Sequence, residues 1–323
     1  IYTRICEIDN ADVGARMMLG AIEREDGNLE LAASHLSTAT SLDPDFTEAW
    51  VMLGGVYGQL ERLTDSEAAN RHALALDSKL ADAQLNLANA LKGQGKFEEA
   101  AQHYRLALQQ QPGLVTAWPL LASALLEAGD PAAATEAAQQ AIVTTPHDWQ
   151  SHFVLGRALQ TQDKFREAAA SFLRVTELAA EKAEAWFMAG GTLGLSGEFE
   201  RAEACCRRAI ELMPDHAEAY LNLGNALREQ HRTKEAVNAF ETALEKRPDS
   251  IDALCSLGGA HAMLCRYHQG ANCFQRAIEK QPDNAKLYRS LGNIFRLGGE
   301  FSLSETACRQ AVKLNPDLSE AHL

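Results

Sequence analysis

Residues 217–250 read AEAYLNLGNALREQHRTKEAVNAFETALEKRPDS. Tyr220, Leu223, Gly224 and Leu227 stand at i, i+3, i+4 and i+7, which places them on one face of a helix. Ala236, Phe240 and Ala243 follow with the same rhythm. Gln230-His231-Arg232 interrupts the two runs, and Pro248 ends the second, where its ring stops a helix. The stretch therefore predicts two helices of roughly 12–14 residues joined by a short turn.

The pattern extends outward at a fixed interval. Pro44, Ser78, Pro112, Pro146, Ala180, Pro214, Pro248, Pro282 and Pro316 are spaced by 34 residues. A unit begun three residues after each mark gives full repeats at 13–46, 47–80, 81–114, 115–148, 149–182, 183–216, 217–250, 251–284 and 285–318. Residues 1–12 read as the tail of a preceding repeat and 319–323 as the start of a further one. Position 8 is small throughout: Gly20, Gly54, Ala88, Ala122, Gly156, Gly190, Gly224, Gly258 and Gly292. Position 20 is small too, from Ala32 to Ser304. Small residues at two fixed points let two helices approach closely. Gly27, Gly95, Gly129, Gly197 and Gly299 fall in the turn, where glycine takes a left-handed conformation cheaply.

These columns resemble the tetratricopeptide repeat, with a large residue at position 4, Leu-Gly at 7–8, a large residue at 11, Ala at 20, an aromatic at 24, Ala at 27 and Pro at 32. Residues 217–250 match with Tyr220, Leu223-Gly224, Leu227, Ala236, Phe240, Ala243 and Pro248. Departures are local: Gln84 at position 4, His261 at position 11 and Asn70 at position 24. The resemblance implies an all-α, right-handed α-solenoid superhelix over 1–323, with the first helices lining a concave face that binds an extended peptide. In such arrays each repeat buries its apolar face only against its neighbours.

Two further details yield expectations. Repeat 5 ends in Leu178-Ala179-Ala180-Glu181-Lys182-Ala183-Glu184, with no proline and strong helix formers. That predicts a tighter or partly helical turn, with a change of pitch. Pro119 and Pro131 each fall in a first helical turn, where proline is tolerated.

Composition bounds function. Hydrophobic residues make up 46% of the 323 and charged residues 23%, an ordinary globular balance. The net charge is −14: residues 1–148 carry −12 and residues 149–323 carry −2. Without a basic stripe, phosphate contacts have no clustered cations, so nucleic acid is not the expected partner. The acidic half suits a basic partner or, more simply, a solvated surface. No apolar run is long enough to span a membrane. The seven cysteines include no C-x-x-C, and read as small, reduced core residues in a cytoplasmic protein. The chain opens on Ile1 and reads as a fragment of a longer protein.

No catalytic constellation, cofactor motif or metal signature appears, so the chain is not read as an enzyme. His261, Cys265 and His268 form at most a weak metal set with no fourth ligand. The glycine-rich run 190–197 follows a helix and not a strand, so it is no nucleotide loop.

What remains is a binding surface. Asn86 and Asn89, then Asn222 and Asn225, occupy positions 6 and 9 of their first helices, and Asn293 position 9 of the last repeat. An amide carries both donor and acceptor, so it can pair with a peptide backbone of any sequence; the alternative is that these are consensus residues only. Arg228, Lys286, Arg289 and Arg296 cluster toward the C-terminal end of the same face, which suits an acidic segment. Arg289 and Asn293 match two positions of chaperone-binding carboxylate clamps, but the other clamp residues are absent. Phe153 and Phe187 belong to an apolar position-5 stripe with Val51, Leu85 and Leu221. Groove surface and packing between adjacent helices are equal readings of that stripe. The expected partner is a protein or peptide. Self-association through open end repeats and service as the recruiting arm of a glycosyltransferase- or sulfotransferase-type enzyme are the alternatives.

Overall fold

The computed structural model describes Tyr2 and residues 12–316. Eighteen helices run through 12–316, with no strand among the described residues. They fall in two compact units, Ile1–Gln162 and Asp163–Leu323. The first holds α1 (Val13–Glu25), α2 (Leu29–Leu42), α3 (Thr47–Gln59), α4 (Leu63–Leu76), α5 (Ala81–Gly93), α6 (Phe97–Gln110), α7 (Ala117–Glu127), α8 (Pro131–Thr144) and α9 (Trp149–Thr161). The second holds α10 (Phe165–Leu178), α11 (Ala183–Leu195), α12 (Phe199–Leu212), α13 (Ala217–Glu229), α14 (Thr233–Lys246), α15 (Ile251–Met263), α16 (Tyr267–Lys280), α17 (Ala285–Leu297) and α18 (Phe301–Leu314).

Within each unit every helix packs on its sequence neighbour. Most odd-numbered helices also touch the next odd-numbered helix of their unit, α3 against α5 and α11 against α13 among them, whereas the even-numbered helices make no substantial contact with one another. Each unit therefore curves with its odd-numbered helices inside. That is the side on which the asparagines stand.

The small column explains the close pairing. A methyl on Gly20 would meet Leu36 Cγ at 2.5 Å, and one on Gly258 would meet Phe274 Cε2 at 2.7 Å. Position 8 of the first helix thus receives the position-24 side chain of the second. Tyr104, Phe172 and Phe240, all at position 24, are the largest fully buried side chains.

The turn inside each pair is left-handed nine times over. Gly27, Gly95, Gly129, Gly197 and Gly299 take φ between 77° and 85°. Glu61, Asp163, His231 and Cys265 take φ between 56° and 61° at the equivalent places. Cys265 is exposed there, so it is not the small core residue expected of it. Buried Cys205 and Cys206 fit that expectation, and burial pushes their thiols up to about 11 and about 12.

The proline-free end of repeat 5 is no more helical than the others. Helix α10 stops at Leu178, Ala179 turns at φ −146°, and Lys182 N–H bonds back to the Ala179 carbonyl. Trp186 Nε1–H then donates to the Ala180 carbonyl at 2.9 Å, as Trp50 Nε1–H does to the Pro44 carbonyl at 2.9 Å. The same indole clasp thus forms on a proline turn and on a proline-free one. Proline does act on α7, which begins only at Ala117. A start at residue 115 would have required an N–H from Pro119 for the Val115 carbonyl; the later start leaves Pro119 among the first-turn positions that need none.

Successive pairs are braced by a recurring polar set. Glu67 on α4 accepts from Gln94 Nε2 (2.8 Å) and Lys96 Nζ (2.9 Å) beyond α5. Glu203 on α12 accepts from Gln230 Nε2 (2.9 Å) and Arg232 Nη1 (2.7 Å) beyond α13, and also pairs with Arg207. Glu203 is nearly buried; burial pushes its carboxyl up, and these donors more than reverse that. At α8 a hydroxyl does the same work: Gln162 Nε2 donates to Thr135 Oγ1 at 2.8 Å.

Candidate binding surface

In the first unit, the inner face of α3 carries Gly55 and Gly58, and α5 faces it with Asn86, Asn89 and Ala90. The missing side chains leave a cleft of about 570 Å³, which Met52, Arg24 and Asp82 also border. The volume falls in the range of ligand-binding clefts. Asn86 is half-buried; its Nδ2 lies 3.5 Å from the Val51 carbonyl, at the limit of a hydrogen bond. Asn89 is exposed, but its Oδ1 accepts from the hydroxyl of buried Tyr104 at 2.6 Å. One of the two asparagines therefore also satisfies the core, a pairing that repeat periodicity does not reveal.

The second unit repeats the juxtaposition. A methyl on Gly191 of α11 would lie 3.2 Å from Asn222 Nδ2 of α13, as one on Gly55 would lie 3.4 Å from Asn86 Nδ2. Asn222 and Asn225 are half-buried. Arg228, one turn on from Asn225, bonds to its neighbour Glu229 at 3.0 Å. Lys286, Asn293 and Arg296 are exposed on α17, and Arg289 is half-buried.

The aromatic candidates are packed as well as accessible. Phe153 lies edge-on to Trp149 with ring centroids 6.4 Å apart, and Phe187 tilts against His216 at 4.6 Å. Leu85 and Leu221 pack on the cores of their units. The position-5 stripe thus joins core and groove and is half-buried at all five places.

A second cavity, of about 520 Å³, opens on the outer side of the first unit between α6 and α8, with Trp118, Leu121 and Leu125 of α7 as its floor. It exists because Ala133 and Ala137 of the alanine-rich α8 leave the space empty. The run of alanines was the one signal for it in the sequence. Among the described residues no group of three or more His, Cys, Asp and Glu side chains is placed to hold a metal ion. His268 instead stands 3.5 Å from Glu300, and His261 is buried. No helix among the described residues is long and apolar enough to cross a membrane.

Comparison with known proteins agrees with this architecture. PilF of Pseudomonas aeruginosa superposes with a TM-score of 0.53 at 17% identity, over 64% of this chain and 95% of that one. A MamA structure superposes with a TM-score of 0.50 at 24% identity, over 52% and 92%. MamA of Desulfovibrio magneticus gives 0.50 at 19% identity, over 53% and 96%. These likenesses establish the fold. Three family models, each described as tetratricopeptide repeat, match 17–162, 181–249 and 227–294. With those matches spread over both units, and the helices packed in succession within each unit, the chain belongs to the tetratricopeptide repeat family.

Proposed function

We propose that this chain is a protein-interaction scaffold that holds an extended peptide segment of its partner against the inner, odd-numbered helices, working by binding and not by catalysis. The α3–α5 cleft carries the reading. Half-buried Asn86 and exposed Asn89 border it, and Gly55 and Gly58 open it. Amides there offer donors and acceptors to a peptide backbone, and the cleft accepts a side chain. Arg228, Lys286, Arg289, Asn293 and Arg296 extend the surface in the second unit with a cationic character that suits an acidic stretch.

The test is selection from a displayed library of random dodecapeptides. The native chain is compared with a variant in which the Asn86 and Asn222 amides are removed and the glycines facing them filled (Asn86→Ala, Gly55→Leu, Asn222→Ala, Gly191→Leu). Asn89 stays, because Tyr104 depends on it. Enrichment by the native chain and not by an equally stable variant is the expected result. Equal enrichment by both, or none by either, overturns the proposal.

A further inference from the structure

We infer that the chain carries two equivalent peptide sites, one in each unit, that recognise the same extended motif with an acidic residue at one end. The inference rests on the groove reading above and adds to it the number of sites and the identity of their ligands.

The observation is a recurrence at 136 residues. On α3 the inner face presents Met52, Gly55 and Gly58; on α11 it presents Met188, Gly191 and Gly194. The helix that packs against each presents Asn86, Asn89 and Lys92 in one unit and Asn222, Asn225 and Arg228 in the other. Six inner-face positions thus carry the same residue or, at the last, the same charge. Simple duplication of the whole chain does not account for this. The same offset relates Met18, Ala21 and Arg24 of α1 to Val154, Arg157 and Gln160 of α9, which differ at every place. It relates Leu120, Ser123 and Leu126 of α7 to Ser256, Gly259 and Ala262 of α15, which differ too. Nor does the repeat template force it, since position 6 alone is Met, Asn, Leu, Val or Ser across the nine repeats.

The three-dimensional setting recurs with the residues. Glycine faces the asparagine amide at both places, with 3.4 Å and 3.2 Å to a built methyl. The indole clasp precedes both glycine helices. The glutamate brace follows both asparagine helices, Gln94 on Glu67 and Gln230 on Glu203. Sites with the same donors and the same facing glycines present the same chemistry to a ligand. The amides take the backbone of an extended segment, and the glycine floor takes one side chain. Lys92 and Arg228 stand one turn beyond the second asparagine, and each favours a carboxylate there. The sites differ in one support: Tyr104 anchors Asn89, whereas Phe240, its counterpart, has no hydroxyl for Asn225.

Two half-closed chains test this. Asn86→Ala with Gly55→Leu closes the first site only, and Asn222→Ala with Gly191→Leu the second only. Each is used separately to select from the random dodecapeptide library, after its thermal unfolding is shown to match the parent. The expected result is one motif from both selections, with Asp or Glu at the same place. The selected peptide then binds the native chain in a ratio of two to one and each half-closed chain in a ratio of one to one. Different motifs from the two chains, or a shared motif without an acidic position, overturn the inference while leaving the groove reading intact. Failure of either half-closed chain to enrich any peptide while the native chain does so also overturns it. Failure of the native chain overturns the groove reading itself.

Discussion

Gly224 lies directly beneath the ring of Phe240: a methyl built on the glycine would stand 2.4 Å from Cε1. The ring is fully buried between its own pair of helices and the next, so it has nowhere to retreat. Gly224→Ala should therefore destabilise the chain by about 1–3 kcal/mol, as overpacking does in a closed core. Gly259→Ala is the control, because nothing lies within 4 Å of its built methyl. There the gain in helix propensity should leave stability unchanged or raise it by about 0.5–1 kcal/mol. Urea unfolding of both variants measures the contrast. Equal effects would show that close approach at position 8 is not what the glycine provides.

His231 occupies a left-handed turn with φ 61°, where five sister turns have glycine. A side chain in that conformation costs roughly 1–2 kcal/mol. His231→Gly should raise the unfolding free energy by about 1 kcal/mol. Gly197→Ala, at φ 85° and with open space around it, should lower it by a similar amount. Thermal unfolding of the two variants checks the signs, and a destabilised His231→Gly chain would refute the argument.

Asn70 fills the position that Leu36 fills in the first pair. It is fully buried, its Nδ2 donates to the Ser66 carbonyl at 2.8 Å, and its Oδ1 has no partner. A buried acceptor left unpaired costs about 1–3 kcal/mol. Asn70→Leu should therefore stabilise the first unit despite the lost hydrogen bond. A lower melting temperature in that variant would mean that the amide is satisfied in a way that a leucine cannot replace.

Acid should act in two windows. His261 is buried, and its Nδ1 has no partner. Burial lowers its pKa from 6.5, and Arg266 adds to this while Glu241 opposes it. The unfolded chain then binds the proton first, so stability falls as pH drops through about 6.5. His261→Phe should flatten the decline in melting temperature between about pH 7 and 5. Glu67 acts lower. Burial pushes its carboxyl up, but hydrogen bonds from Lys96, Gln94 and Arg71 bring it down to about 2. Its contribution is complete above the ordinary value of 4.5 and is lost as pH falls from there toward 2. Glu67→Gln should remove slope in that lower window only. A parent-like slope in either variant's own window would dismiss that group.

Periodicity made the helices and their pairing readable, because position 8 against position 24 is a contact that recurs in both units, from Gly20 on Leu36 to Gly292 on Cys308. It also located the turns: Gly27 and its counterparts marked the left-handed sites, although Glu61, Asp163, His231 and Cys265 reach the same conformation without the marker. Ala180 misled, since the absence of proline suggested more helix. The turn there closes on the same backbone hydrogen bond as the proline turns, Lys182 N–H to the Ala179 carbonyl, and Trp186 clasps it from six residues further on. The anchoring of Asn89 was hidden for a related reason. It depends on one hydroxyl, on Tyr104, that other members of the same aromatic column lack. The outer cavity could not be foreseen from Trp118 alone, because it needs small Ala133 and Ala137 on α8 to stand clear of it.

The short-range packing within each unit has a mechanical consequence. A helix that packs on nothing farther along than the second helix away offers no distant clasp that must yield first when the ends are drawn apart. Under tension each unit should lengthen as a spring does, by small tilts shared among its hairpins. Beyond that limit, hairpins should peel away singly. The last to go should be those locked by the Glu67 and Glu203 braces, so load resistance is graded along the chain instead of being concentrated at one point.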